Sequence, residues 1–236
     1  MARNFGQLKS AVQADVIDVP TALVAEVGNL VNRAIRVAQE LHNFKCMEAT
    51  SEYVTVPSTR SLTTLPTNWK ASRGLPWTRD DDGTTNEIGW LTDDLDAVRS
   101  FSIDPDVDIG APAYLLETTS SLDLYPFSDS MSDWTDGEYR INVPYWAYLN
   151  ELSDDSDSNW FTQNAEWFII WQAASDAIDF NVWAERVQNR QQKAAAELAR
   201  VIKVDKQNRI GRNLILPAQS SSLSAPNTRR ISYPGS

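Results

Sequence analysis

Three features of the 236-residue chain predict an α+β fold. Leu23, Val27, Leu30, Ala34, Val37 and Leu41 recur at helical spacing near the start. Short β-branched or alternating runs, punctuated by Pro, Gly and Asp, fill the middle. A long helical pattern then runs from Phe161 to Ile202. Strands gathered in one block between helices argue against alternating α/β units. The expected architecture is a helical core of N-terminal helices (1–48) and C-terminal helices (151–208). A small antiparallel β domain with acidic loops (49–150) is inserted, and an extended C-terminal arm (209–236) follows.

Each element has a local reason. Phe5, Leu8 and Val12 mark a short amphipathic helix that residues 15–20 interrupt. Asp18 or Thr21 can cap the next helix, expected over residues 23–44, with Arg33, Arg36 and Glu40 on its polar face. His42, at the polar end of that helix, reads as a surface or C-terminal-turn residue, and Cys46 as a small packed one. Residues 52–56 alternate as a strand, and residues 61–65 return it after a Pro57 turn. Loop and short strand are expected over 68–89, a short helix capped by Thr92, and a loop over 104–110. Strands follow at 113–117, 122–125 and 139–143, then a Tyr145-centred segment after Pro144. A polar loop, 152–159, leads into a buried helix over 161–178. A break near 179–181 precedes a second helix with a solvated Arg, Gln and Lys face, ending near Arg209. Beyond it, Pro217, Pro226 and Pro234 and a Ser-rich run predict an extended segment.

Composition narrows the function. The formal net charge of −11 disfavours a general nucleic-acid binder, which needs Lys and Arg against phosphates. The charge is unevenly placed: residues 80–160 hold twenty Asp or Glu against two Arg, whereas residues 186–236 hold ten Lys or Arg against two acids. One Cys and one His rule out an intrachain disulfide or a Cys/His zinc site. The N-terminus lacks a signal-peptide block and no run is long and apolar enough to span a membrane, so a soluble, non-secreted protein is expected.

No motif carries chemistry. Neither a phosphate-binding Gly loop nor a Gly-x-Ser-x-Gly elbow is present, and the expectation is no catalytic residue, no metal and no cofactor. Two patterns support a different class, a sugar- or calcium-binding β module. Nine Trp, most of them between Trp90 and Trp183, suit sugar stacking as well as packing. Asp155, Asp157, Asn159 and Glu166 have EF-hand-like spacing, but Trp160 stands where that loop needs Gly. The simpler reading is that Ser and Asp residues of this loop cap the buried helix and favour its dipole.

The order of elements resembles the head-to-tail adaptor (connector) proteins of tailed bacteriophages over roughly residues 4–209. The resemblance is carried by the two N-terminal helices running into Tyr53-Val-Thr-Val56 and Leu65-Pro-Thr-Asn-Trp69. It continues through Pro112-Ala-Tyr114, Leu122-Asp-Leu-Tyr-Pro126 and Gly137-Glu-Tyr139, and through the 152–157 loop into Trp167-Phe-Ile-Ile-Trp-Gln-Ala173. It implies a structural protein that is made in the host cytoplasm and resides in the virion neck. There it forms a homo-oligomeric ring, dodecameric like the portal, beneath the portal protein. It extends the channel for passing double-stranded DNA and offers the surface for a tail tube or nozzle protein, with no membrane involved. On that basis Leu214, Ile215, Leu216, Arg229, Arg230, Ile231 and Tyr233 are expected to form a portal-binding arm. Asp80, Asp81, Asp82, Asp93 and Asp94 are expected to face the channel, where like charge limits DNA sticking.

Overall fold

A computed structural model describes residues 3–16, 21–56, 59, 61–62, 64–79, 85–91, 109–110, 112–125, 127–128, 139–178 and 180–213. Its helices and mixed sheets form an α+β fold, as the sequence predicts. The expected Thr92 helix lies outside the described residues.

Helix α1 (Phe5–Asp15) opens with a capping box: the Asn4 side chain accepts from Gln7 N–H, and Asn4 N–H donates to the Gln7 side chain. Its Phe5, Leu8 and Val12 are buried. Helix α2 (Thr21–Leu41) buries Val27, Val31, Ala34, Ile35 and Ala38, one helical stripe. After a 3-10 turn at Lys45–Met47, strand β1 (Glu48–Val54) begins. The sequence places this strand later, at 52–56, but its start is set by long-range pairing of Glu48 with Trp146.

Strands β2 (Trp69–Ser72), β3 (Trp77–Arg79), β4 (Thr85–Glu87), β5 (Gly89–Trp90) and β6 (Ile109–Gly110) are short. They are followed by β7 (Tyr114–Glu117), β8 (Leu122–Tyr125), β9 (Phe127–Ser128) and the long β10 (Arg140–Ala147). The main sheet runs β1-β10-β3-β4, with β2 also on β10; β5-β7-β8 and β6-β9 form smaller sheets. Most pairs are antiparallel as expected, but β5 with β7 and β6 with β9 are parallel. Gly89 permits the first: a Cβ there would lie 2.9 Å from the Tyr114 ring.

Two expectations change. Residues 61–65 do not return against β1. Ser61 bridges to Asp123 and Leu62 N–H donates to Leu122 O at 2.8 Å, which buries Leu62 beside Leu122 and Leu124. Pro144 does not end a strand: β10 continues through it. It sits where pairing on one edge passes from β3, opposite Asn142, to β2, opposite Tyr145, so its missing N–H falls at a gap in the ladder.

Helices α3 (Trp160–Asn164) and α4 (Glu166–Ala177) occupy the expected single helix, broken at Ala165 (φ −130°, ψ 27°). The break lets Trp160 and Phe161 close on Phe44, at 5.2 and 5.0 Å between ring centroids, while α4 lies along α2. Helix α5 (Phe180–Asn213) has 34 residues, about 51 Å at 1.5 Å per residue. It passes beyond Arg209 and, among its described side chains, buries Val187, Ala194, Leu198, Val201 and Asp205.

Two hydrophobic clusters result. One joins the helices around Phe44, Phe161 and Phe168, and the other fills the sheets around Leu115, Leu124 and Ile141. Strand β10 spans both, with Ile141 and Val143 in the second and Trp146 against the first. Side-chain amides of α2, Gln39 buried and Asn32 partly so, fasten the chain after β10. Gln39 Oε1 accepts from Leu149 N–H at 2.6 Å, and Asn32 exchanges two bonds with the Leu152 backbone at 2.9 and 3.0 Å. No helix among the described residues is long and apolar enough to cross a membrane.

Candidate attachment site

The end of α5 is fixed more firmly than its polar surface suggests. Asp205, 3% exposed, faces the α2–β1 junction. Its carboxylate accepts from Lys45 N–H at 3.0 Å, meets His42 Nε2 at 3.1 Å, and accepts from Arg209 Nε at 3.1 Å. A buried charge persists only when it is paired and hydrogen-bonded, and here both conditions hold. Arg209 reaches back to the Asn43 carbonyl and lies 5.0 Å from the Trp146 ring, so the last turns of α5 are tied to α2, β10 and the turn before β1. Lys70 donates to the Gln39 carbonyl and to Asn43 Oδ1 at 2.6 Å, and burial pulls its ammonium below the ordinary Lys range. Arg36 lies over the Tyr148 ring, 3.2 Å from its centroid. Around these groups is a cleft of about 580 Å³ lined by Glu40, Leu41, His42, Asn43, Lys70, Ala71, Tyr148 and Arg209. Its cations are engaged with the protein itself, so the arrangement fastens a helix end and offers no reaction centre.

His42 follows the end of α2, its N–H bonded to Ala38 O, which is the C-terminal-turn placement, but its side chain is not at the surface: it is 17% exposed and packs edge-on against Phe44 at 4.6 Å. Helical periodicity placed it on a polar face but could not show α5 arriving opposite. The Asp205/Arg209 spacing, one turn apart beside a helix end, was the only sequence signal of the clamp. Cys46 is half-buried, and burial first, then the Asp205 charge, pushes its thiol up to about 12, so it is no nucleophile at neutral pH.

The EF-hand-like residues are not brought together. Asp157 accepts from Ser153 N–H and Asp154 N–H at 2.8 and 2.9 Å, closing its own loop, and those bonds hold its carboxyl below the usual range. Asn159 caps α3 through Phe161 and Thr162 N–H. Asp155 pairs with Lys9 at 2.5 Å, and Glu166 lies 3.9 Å from Arg3. Among the described residues no cluster of His, Cys, Asp or Glu could hold a metal ion. Several Trp are occupied by packing: Trp69 stacks on Tyr145 at 4.6 Å and donates to Glu117 at 2.9 Å. Trp167, 44% exposed, stacks one turn before Trp171, which in turn packs against the helical core.

The arm residues Leu214, Ile215, Leu216, Arg229, Arg230, Ile231 and Tyr233 lie outside the described residues, as do Asp80, Asp81, Asp82, Asp93 and Asp94. The clamp nevertheless fixes where the chain departs toward residue 214.

Comparison with protein families matches the SU10 adaptor protein model over residues 3–221. The chain belongs to the SU10 adaptor protein family. It is therefore a bacteriophage adaptor of the virion neck, a family that points to a structural role. A search of curated proteins gave no match to the adaptor. The family match spans helices and sheets alike.

Proposed function

We propose that the adaptor forms a dodecameric ring beneath the portal, extends the DNA channel, and presents the surface on which the tail tube or nozzle is built. Family membership supports the neck location. The observation that carries the attachment reading is the clamped end of α5. It delivers residues 214–236 from a fixed point, and their sequence combines apolar anchors with Arg229 and Arg230. An extended segment of that kind gains affinity through pockets and added strands, and contacts with the portal must exceed its ordering cost of about 1–2 kcal/mol per residue.

Truncation after Asn213 is the test. The shortened protein is expected to keep its thermal transition and lose most of its affinity for purified portal in co-sedimentation. Equal affinity of the two forms would remove the arm from the attachment. For the channel, replacing Asp80, Asp81 and Asp82 with Lys is expected to slow genome release from assembled particles, because phosphates are then attracted where they were repelled. Unchanged release would place those residues away from the channel.

A further inference from the structure

We propose that the outer edge of β1 is a docking edge for one more strand, and that residues 227–233 of the chain's own arm fill it before assembly. The inference stands apart from portal attachment: it concerns where the arm rests while no portal is present. The β1–β10 register is unbroken from Glu48 opposite Trp146 to Val54 opposite Arg140. One step beyond it, Thr55 N–H donates to Tyr139 O at 3.0 Å. Antiparallel residues alternate between bonded and non-bonded pairs. Tyr53, Ser51 and Ala49 therefore bond to β10, and Thr50, Glu52 and Val54 turn their N–H and C=O groups the other way. Pro144 agrees with this parity. It stands opposite Thr50 with no N–H to give, and its carbonyl accepts from Arg73 N–H at 2.9 Å on the far side of β10. Among the described residues no strand pairs with the outer edge. Thr50, Glu52 and Val54 are exposed, as is Val56 beyond them. An open edge of seven residues ending in exposed valines is a template for strand addition, which natural sheets cover or blunt.

The occupant follows from where the chain leaves α5 and from its pattern beyond. Asp205 accepts from Lys45 N–H and Arg209 donates to the Asn43 carbonyl, so α5 ends beside the turn that starts β1. The thirteen residues 214–226 reach at most about 43 Å at about 3.3 Å each, and β1 is about 23 Å long. Residue 227 therefore reaches either end of the edge. Pro226 and Pro234 bracket a run of seven, Asn-Thr-Arg-Arg-Ile-Ser-Tyr, the same length as β1. Proline cannot donate to a ladder, so these two bound the added strand. The earlier apolar run, Leu214 to Leu216, is cut short by Pro217. Charge fits as well: β1 carries Glu48 and Glu52 and no cation, and the run carries Arg229 and Arg230 and no acid. Alternation sets Arg229, Ile231 and Tyr233 on one face and Thr228, Arg230 and Ser232 on the other. In β1, Tyr53 is buried on the core face and the Glu52 side chain is 52% exposed on the opposite one. Ile231 and Tyr233 thus extend the core side, and Arg230 the Glu52 side. A tether of this length gives an effective concentration on the order of millimolar. A separate copy in dilute solution does not match that, so the strand comes from the same chain. It extends an edge and enters neither hydrophobic cluster, so unfolding of the core does not depend on it.

The test is residue-resolved amide exchange by NMR on the full chain without portal. The comparison is the double variant Arg230→Pro/Ile231→Pro, which removes one donor of each parity from the run. Amides of Thr50, Glu52 and Val54 are expected to exchange at least about tenfold more slowly in the wild type than in the variant. Amides of Ala49, Ser51 and Tyr53, bonded to β10, are expected to be equally slow in both, which reports an intact sheet. Benzoylphenylalanine in place of Tyr233, in a mixture of isotopically light and heavy chains, is expected to crosslink to residues 48–56 of the same chain. Equal exchange of Thr50, Glu52 and Val54 in the two proteins overturns the docking. Crosslinks between light and heavy chains overturn its assignment to the chain's own arm, and crosslinks elsewhere in the same chain overturn the edge as its seat. Portal affinity is read in a separate experiment, so failure here leaves portal attachment standing.

Discussion

Asp205 shows how one residue decides where a helix ends. Its carboxylate satisfies a backbone N–H, an imidazole and a guanidinium within 3.1 Å, all beside a buried junction. Asp205→Ala leaves those donors without an acceptor, and a loss of about 3–5 kcal/mol is expected in urea unfolding. A change under 1 kcal/mol, on the scale of about zero to one seen for surface pairs, would show that the network is not cooperative. Cys46 offers a second check. With its thiol pushed up to about 12, the native protein at pH 8 is expected to react with a thiol reagent far more slowly than the urea-unfolded chain. Equal rates would contradict the burial. At this scale the sequence was legible only where a residue acts on its own neighbours. A polar cap before the apolar run is expected locally, although Asn159 rather than a Ser or Asp supplies it, whereas the His42–Asp205 contact joins residues 163 apart and leaves no local trace.

The helices and most strands could be read from periodicity because each buries one stripe or one face. Misreadings fell where a distant partner outranked the local pattern. Residues 61–65 follow a Pro turn after a strand and look like a hairpin return, yet Leu62 gains more burial beside β8. Pro144 looks like a stop, yet β10 carries it at a change of partner. Helix α4 supplies a testable case of charge. Asp176 is half-buried; burial raises its carboxyl above the ordinary 3.8, against the opposing pulls of Arg33 and Gln172. A raised carboxyl favours the protonated form in the fold. Its contribution to stability is therefore full below 3.8 and is lost as pH rises through the raised value. Asp176→Asn keeps an acceptor for Gln172, and is expected to match or exceed wild-type stability at pH 7 and to lose any advantage near pH 3. Marked destabilisation at pH 7 would mean the Arg33 pair outweighs burial.

At the scale of the whole molecule, two hydrophobic clusters share one strand, so helical core and sheets are expected to unfold together. Val143→Ala, in the sheet cluster, should cost about 1–3 kcal/mol and lower far- and near-UV transitions alike. Separate transitions would show two independent units. The sequence revealed the α+β class and the order of elements, but not this sharing, which depends on the register of β10 against β1 and β2. Helix α5 is pinned twice to the helical body, by Arg190 on Asp15 and by Arg209 and Asp205 at the α2–β1 junction. Tension applied beyond Asn213 runs along the axis of α5 and must shear both pins together, a stiffer arrangement than peeling strands from a sheet edge one bond at a time.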